Sequence, residues 1–352
     1  MKLIAFYLPQ FHEIPENNDA WGAGFTEWTN VKKARPLYLG HNQPRKPLHG
    51  RYYNLLVDGV MEWQMSLAKK AGIYGFCFYH YWFQGRMVLE KPVELLLQKK
   101  EIDFRYCFSW ANEPWTKTWH GAGGNKEILI PQSYGREEEW EAHYVYFRRF
   151  FQDERYIKEQ NRPVILIYRL RNIPCFNDMI RYWNRKAKED GFEGIFLISM
   201  DMWREQAAKS CLVNGTVDFE PNKTRAERMR VSSIWNPTEE GSVFRNRFAI
   251  RSMNYGEVNR KMLQIPHEKN HFRTVYVDFD DSPRRGTRAV ITRGSTPEKF
   301  GRYLRESIRL SHKEGNEFLF INAWNEWGEG NYLEPDTRNG YGYLRQIKQA
   351  LE

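Results

Sequence analysis

Eight short runs of apolar, β-prone residues constrain this sequence more than any other feature. They are LIAFYL (3–8), GIYGFCFYHY (72–81), FRYCFSWA (104–111), RPVILIYR (162–169), GIFLISMDM (194–202), TVDFEP (216–221), RTVYVDF (273–279) and EFLFINAW (317–324). Each is apolar along its length rather than alternating, which is how strands read when a parallel sheet is covered on both faces. Amphipathic segments fall between them, at about 57–71, 88–99, 137–152, 174–190, 245–263 and 297–313, with a closing helix near 341–351 and a weaker one at 203–215. STPEKF (295–300) carries the N-cap, proline and acid that open a helix. Eight such units in 352 residues predict an α/β fold, a single (β/α)8 TIM barrel over 1–352. An open doubly wound sheet would place a glycine-rich loop after the first strand, where YLPQFH stands instead. The connection from 9 to 55 becomes a long first βα loop, a length that usually serves function.

In such a barrel the chemistry sits at the C-terminal ends of the strands. Strand one ends in Gln10 and His12, strand two in Tyr79, His80, Tyr81 and Trp82, and strand three in Trp110, Asn112, Glu113 and Trp115. Strand five ends in Asp201 and Trp203, strand six in Glu220, strand seven in Asp278, Asp280 and Asp281, and strand eight in Asn325, Glu326 and Glu329. From the first loop, Glu27 and Trp28 are expected to descend into the same mouth. Acids and aromatics thus recur at one rim, and aromatics make up 16% of the chain. Sugar rings stack on Trp and Tyr, and their hydroxyls need carboxylates. The stretch NAWNEWGEGNYLEPD (322–336) concentrates both. Glycoside cleavage commonly uses one carboxylic acid to protonate the leaving oxygen and a second carboxylate across the bond. Glu326 and Glu329, three apart on one turn, raise each other's pKa, which suits a proton donor near neutral pH. Trp327 is expected to shield that donor.

Other readings carry less weight. The formal charge is +9, but its basic residues are scattered in pairs and form no nucleic-acid module. No apolar run reaches transmembrane length and MKLIAFYLPQFH has no signal-peptide core, so the expected setting is cytoplasmic, with a peripheral membrane contact left open. Four widely spaced cysteines read as free thiols. The histidines show no HxH or HExxH spacing, with His80 and His120 read as hydrogen bonders; no metal or cofactor is expected.

AFYLPQFHEIPEN, GFTEWTNVKKARPLYLGHNQP, YGFCFYHYWFQG, FSWANEPWT and NAWNEWGEGNYLEPD together resemble the WbsX-type group. Its members are often labelled glycosyltransferases of polysaccharide gene clusters, and they are related to glycoside hydrolase family 99. The resemblance implies a (β/α)8 barrel and a metal-independent sugar enzyme with an oligosaccharide or polysaccharide substrate. It also implies that Glu326 is a base acting on the sugar 2-hydroxyl, through a 1,2-anhydro intermediate, and that Glu329 is the general acid/base. Asp280, Arg284, Asn325 and Trp327 would join the residues above in holding substrate. One departure stands out. The family's strand-seven segment usually reads WDNTPRR, against FDDSPRR (279–285) here, and Asp281 is expected to add negative charge. Two rival functions remain: a nucleotide-sugar or lipid-linked glycosyltransferase, with DFDD (278–281) as a metal-binding Asp-x-Asp, and a non-catalytic carbohydrate-binding barrel.

Overall fold

The computed structural model describes residues 1–117, 127–200, 210–228, 232–235 and 249–352. Its main sheet is mostly parallel and curls into a nearly closed barrel. The eight staves are β1 (Lys2–Tyr7), β2 (Gly75–Phe83), β3 (Arg105–Trp110), β4 (Arg162–Ile167), β5 (Phe196–Ser199), β6 (Gly215–Val217), β7 (Thr274–Tyr276) and β8 (Phe318–Asn322). Parallel ladders join β1 to β2, and so on in sequence order to β6. On the other side, β8 pairs with both β7 and β1. The joint between β6 and β7 is made by His271–Phe272, which pairs with β6 just before the chain passes through Arg273 into β7. Inside the ring Phe6 packs against Phe320, Phe219 and Tyr79. Its side chain fills the barrel below the rim.

Helices cover the outside: α1 (Val60–Ala71), α2 (Lys91–Gln98), α3 (Glu137–Phe151), α4 (Phe176–Glu189), α5 (Tyr255–Leu263), α6 (Pro297–Lys313) and α7 (Gly342–Leu351). The eight expected strands are present, and among the described residues seven of them are each followed by one of these helices, with two local corrections. The second strand begins three residues later than predicted, because Gly72 ends α1 with φ of 93°, a left-handed turn that glycine adopts without strain. The helix predicted over 245–263 is helical over Tyr255–Leu263, where Asn254 caps the amide of Glu257 at 3.1 Å. Ahead of it Ala249–Asn254 is a strand, antiparallel to Ser232–Trp235 and parallel to Val290–Arg293. This three-stranded sheet stands beside the rim. Asp201, Trp203, His120 and most of the weaker 203–215 segment lie outside the described residues.

The first βα loop has a defined structure. Thr26 opens the helix Glu27–Lys33 with a capping box completed by Thr29, and the Glu27 amide donates to the Gln10 carbonyl at 3.0 Å. These bonds set the helix across the barrel mouth, its Trp28 ring 5.3 Å from Trp327. No helix among the described residues is long and apolar enough to cross a membrane.

Candidate active site

A cleft of about 670 Å³ opens at the C-terminal ends of the strands. Tyr79 and Tyr81 enter it from β2, Glu113 and Trp115 from beyond β3, Tyr168 and Arg169 from beyond β4, and Phe219 and Arg225 from beyond β6. Phe279, Asp281, Arg284 and Arg285 follow β7, and Glu326 and Glu329 follow β8.

Arg284 organises the acidic end. Its guanidinium donates from Nε to Glu27 at 3.0 Å, from Nη2 to Glu326 at 3.1 Å and from Nη1 to Glu329 at 2.7 Å. Three carboxylates from two distant parts of the chain therefore share one cation, in an almost wholly buried setting. Gly328, between the two turn glutamates, makes this convergence possible: a Cβ there would stand 1.7 Å from Glu27 Oε1 and 2.8 Å from Arg284 Nε. The chain must come that close, so no side chain fits.

The proton affinities follow from the crowding. Burial, reinforced by the charge of Glu329 and opposed by Arg284, pushes the Glu326 carboxyl up to about 8. Burial likewise raises Glu27, Arg284 offsetting part of the effect. Arg284 itself is held firmly protonated: burial disfavours its charge, but Glu27, Glu329 and Glu326 outweigh that. Asp281 rises to about 6 through burial, although the Val290 amide donates to it at 2.7 Å. Its charge is met by Arg285, whose Nε lies 3.0 Å away, so the extra negative charge expected at this position is locally matched.

Of the residues singled out from sequence, Tyr79, Tyr81, Glu113, Trp115, Asp281, Arg284, Glu326 and Glu329 line this cleft, and buried Glu27 touches it through Arg284. The others stand elsewhere. His80 and Trp82 point outward from β2 toward α3, with His80 Nε2 2.9 Å from His143 and the Trp82 ring stacked 4.3 Å over that same histidine. Trp110 joins that layer, 4.8 Å from His143. Asn112 and Asn325 are braces. Asn112 bonds the backbone of Arg169 in both directions, at 2.9 and 2.8 Å, and Asn325 does the same to Leu8. Trp28 donates to the Tyr53 carbonyl at 2.8 Å. The Trp327 indole lies under the turn, stacked 3.7 Å from Tyr332 and donating to Glu334 at 2.6 Å, away from the Glu329 carboxylate that it was expected to shield. Gln10 and His12 are buried beneath the first loop. Glu220 accepts from the Thr224 amide and hydroxyl at 3.0 and 2.7 Å.

The Asp-x-Asp pair is also committed. Asp280 accepts from His41 at 2.8 Å, from Gln43 at 2.7 Å and from the Ser282 amide, and Asp278 accepts from Arg45 at 2.9 Å. Neither lines the cleft. Among the described residues, the cluster with metal-binding side-chain types is Asp218, His267 and His271, on the outer side of β6; the Lys223 ammonium sits directly on Asp218, which disfavours a further cation. Sequence reasoning missed Tyr168, Arg169, Phe219, Arg225, Phe279 and Arg285. Tyr168 and Arg169 end the fourth apolar run, so the strand-end rule would have found them; Arg225, in an insertion after β6, had no such signal.

A family model described as Glycosyltransferase WbsX matches residues 3–347. An uncharacterized protein WxcX from Xanthomonas campestris pv. campestris (strain B100) is 34% identical over 354 residues, covering 99% of this chain and 49% of its own length. Its counterpart in a second strain of that pathovar is 33% identical over the same span. The chain thus spans about half the length of the curated relatives it matches. Among solved structures, the GH99 endo-alpha-mannosidase from Bacteroides thetaiotaomicron superposes with a TM-score of 0.59 at 13% identity, covering 99% of this chain and 96% of that one. A glycoside hydrolase-like protein gives 0.59 at 12% identity, over 100% of this chain and 94% of the other. At such identities the likeness speaks to the fold.

Proposed function

This chain belongs to the WbsX glycosyltransferase family, and from that premise we propose that it cleaves glycosidic bonds of an oligosaccharide or polysaccharide by a metal-independent, two-carboxylate mechanism. The observation that carries this reading is the pairing of Glu326 and Glu329 on a single guanidinium at the floor of an aromatic-walled cleft. Such a pair holds one acid and one base when it keeps one proton. Glu326, deeper and nearly inaccessible, is the base that takes the sugar 2-hydroxyl proton. Glu329, whose side chain is 24% exposed, stands where a leaving group departs and is the acid. In the free protein burial favours the proton on Glu326, so this assignment requires it to pass to Glu329 as substrate binds. Tyr79 and Tyr81, kept neutral by burial, and Trp115 supply hydroxyls and a stacking face. The commitment of Asp278 and Asp280 to Arg45, His41 and Gln43 supports a route that does not pass through an Asp-x-Asp metal.

The second reading is transfer from a nucleotide-sugar or lipid-linked donor, which the family's description favours. The two separate on one experiment: incubation with capsular or O-antigen oligosaccharides and with nucleotide sugars, products being read by mass. Cleavage that persists in chelator is expected. Activity that vanishes with chelator and returns with manganese, together with nucleotide diphosphate binding, identifies a transferase.

A further inference from the structure

Among the described residues, four arginines line the cleft, and they differ in what holds them. Arg284 has three carboxylates. Arg169 has Glu113 at 3.1 Å and the Tyr168 hydroxyl at 3.0 Å. Arg285 has Asp281 through Nε and no other carboxylate among the described residues. Arg225 has none within ion-pair reach among the described residues; its guanidinium lies 5.5 Å from the centre of the Phe279 ring. A partly buried cation without a counterion is costly, and burial accordingly lowers the Arg225 pKa, with Asp281 and Glu329 offsetting part of the effect and Arg285 and Arg251 adding to it. The cleft is therefore polarised. Among the described residues, carboxylates outnumber cations around Arg284, and cations outnumber carboxylates around Arg225 and Arg285.

We propose that the Arg225–Arg285 end of the cleft binds an anionic substituent of the saccharide, a carboxylate or a phosphate. The inference rests on reading the cleft as a saccharide site and names the substrate class that site would take. Guanidinium forks match planar carboxylates and phosphate oxygens bidentately, and Phe279 holds the Arg225 fork at the cleft wall. A charged sugar placed there leaves its glycosidic bond toward Glu326 and Glu329. The site thereby sets the direction in which the sugar lies.

The test measures binding of glucose, glucuronic acid, glucose 1-phosphate, UDP-glucose and inorganic phosphate at low salt by titration calorimetry, to the native protein and to Arg225→Gln and Arg225→Lys. Circular dichroism checks that each variant is folded. The charged monosaccharides are expected to bind at least about tenfold tighter than glucose, the scale of one charge-assisted hydrogen-bonded contact. Arg225→Gln should remove that advantage and Arg225→Lys should keep part of it. Glucuronic acid ahead of glucose 1-phosphate identifies a uronate, and the reverse order a phosphate. UDP-glucose ahead of both, with the preference lost in Arg225→Gln, upholds the anion site and turns the function to transfer. Inorganic phosphate binding while glucose and the charged sugars gain nothing over it upholds the anion site and removes the saccharide reading. Glucose and glucuronic acid binding equally well, charged sugars indifferent to Arg225→Gln, or no binding of any anion at millimolar concentration overturns the proposal.

Discussion

Two arginines, Arg284 and Arg45, each gather acids at the same barrel rim, and each ties the first βα loop to the loops after β7 and β8. Around Arg45 the accounts balance. Asp278 and Asp280 are matched by Arg45, His41, Gln43 and backbone amides; those donors hold Asp280 down to about 2 in spite of complete burial, while burial raises Asp278, Arg45 offsetting part of the effect. Around Arg284 three carboxylates compete for one cation, and Glu326 rises to about 8. The two clusters are alike in residue type and burial. What separates Asp280 from Glu326 is the number of donors that meet each carboxylate: His41, Gln43 and the Ser282 amide all bond Asp280, whereas Glu326 shares the single guanidinium of Arg284 with two other acids.

The largest effect expected from that contrast is kinetic. Glu329→Gln should slow turnover of a natural substrate by about 10²–10⁴-fold, the usual contribution of general acid catalysis, and by much less on an activated aryl glycoside whose leaving group needs no proton. Glu326→Gln should damage both substrates equally. Steady-state rates on the two substrate types decide; equal losses for Glu329→Gln would exchange the two roles.

Arg45→Met should act on folding instead. It leaves Asp278 buried without its cation, a loss of about 3–5 kcal/mol for a broken buried pair, read as a shifted urea midpoint, while kcat/KM of the folded variant stays close to native. A catalytic loss as deep as that of Glu329→Gln would erase the distinction between the clusters.

Glu326 and Asp280 also respond to pH with opposite sign. Glu326 has a folded pKa raised from 4.5 to about 8, so its protonated form is favoured in the fold. Its stabilising contribution is full below pH 4.5 and is lost as pH rises toward 8. Asp280 is lowered from 3.8 to about 2, so its contribution is present above 3.8 and is lost as pH falls toward 2. Unfolding free energies across pH should show both slopes, each up to about one proton. Glu326→Gln should flatten the upper slope and Asp280→Asn the lower.

Trp327→Phe is the mildest test. The lost hydrogen bond to Glu334, which keeps Tyr53 and Gln64 as donors at 2.8 and 2.7 Å, should cost about 1 kcal/mol in thermal or urea unfolding, with turnover nearly unchanged. A rate loss near that of Glu329→Gln would mean that the indole does protect the acid.

The sequence alone determined the barrel's eight staves, the long first loop and the adjacency of Glu326 and Glu329. Those features are local: runs of apolar residues select strands, and a three-residue spacing on one turn keeps two acids together. Tertiary structure decided the rest. A stave of a parallel barrel is buried on both faces, so its hydrophobic pattern carries no parity, and nothing in YHYW says that Tyr79 and Tyr81 face the cleft while His80 and Trp82 face α3. Nor does any local signal bring Glu27, Arg284 and the 326–329 turn to one point. That meeting needs the ring to close and Gly328 to carry no side chain, because the charge balance of a site is summed over space and a sequence lists its charges only in order.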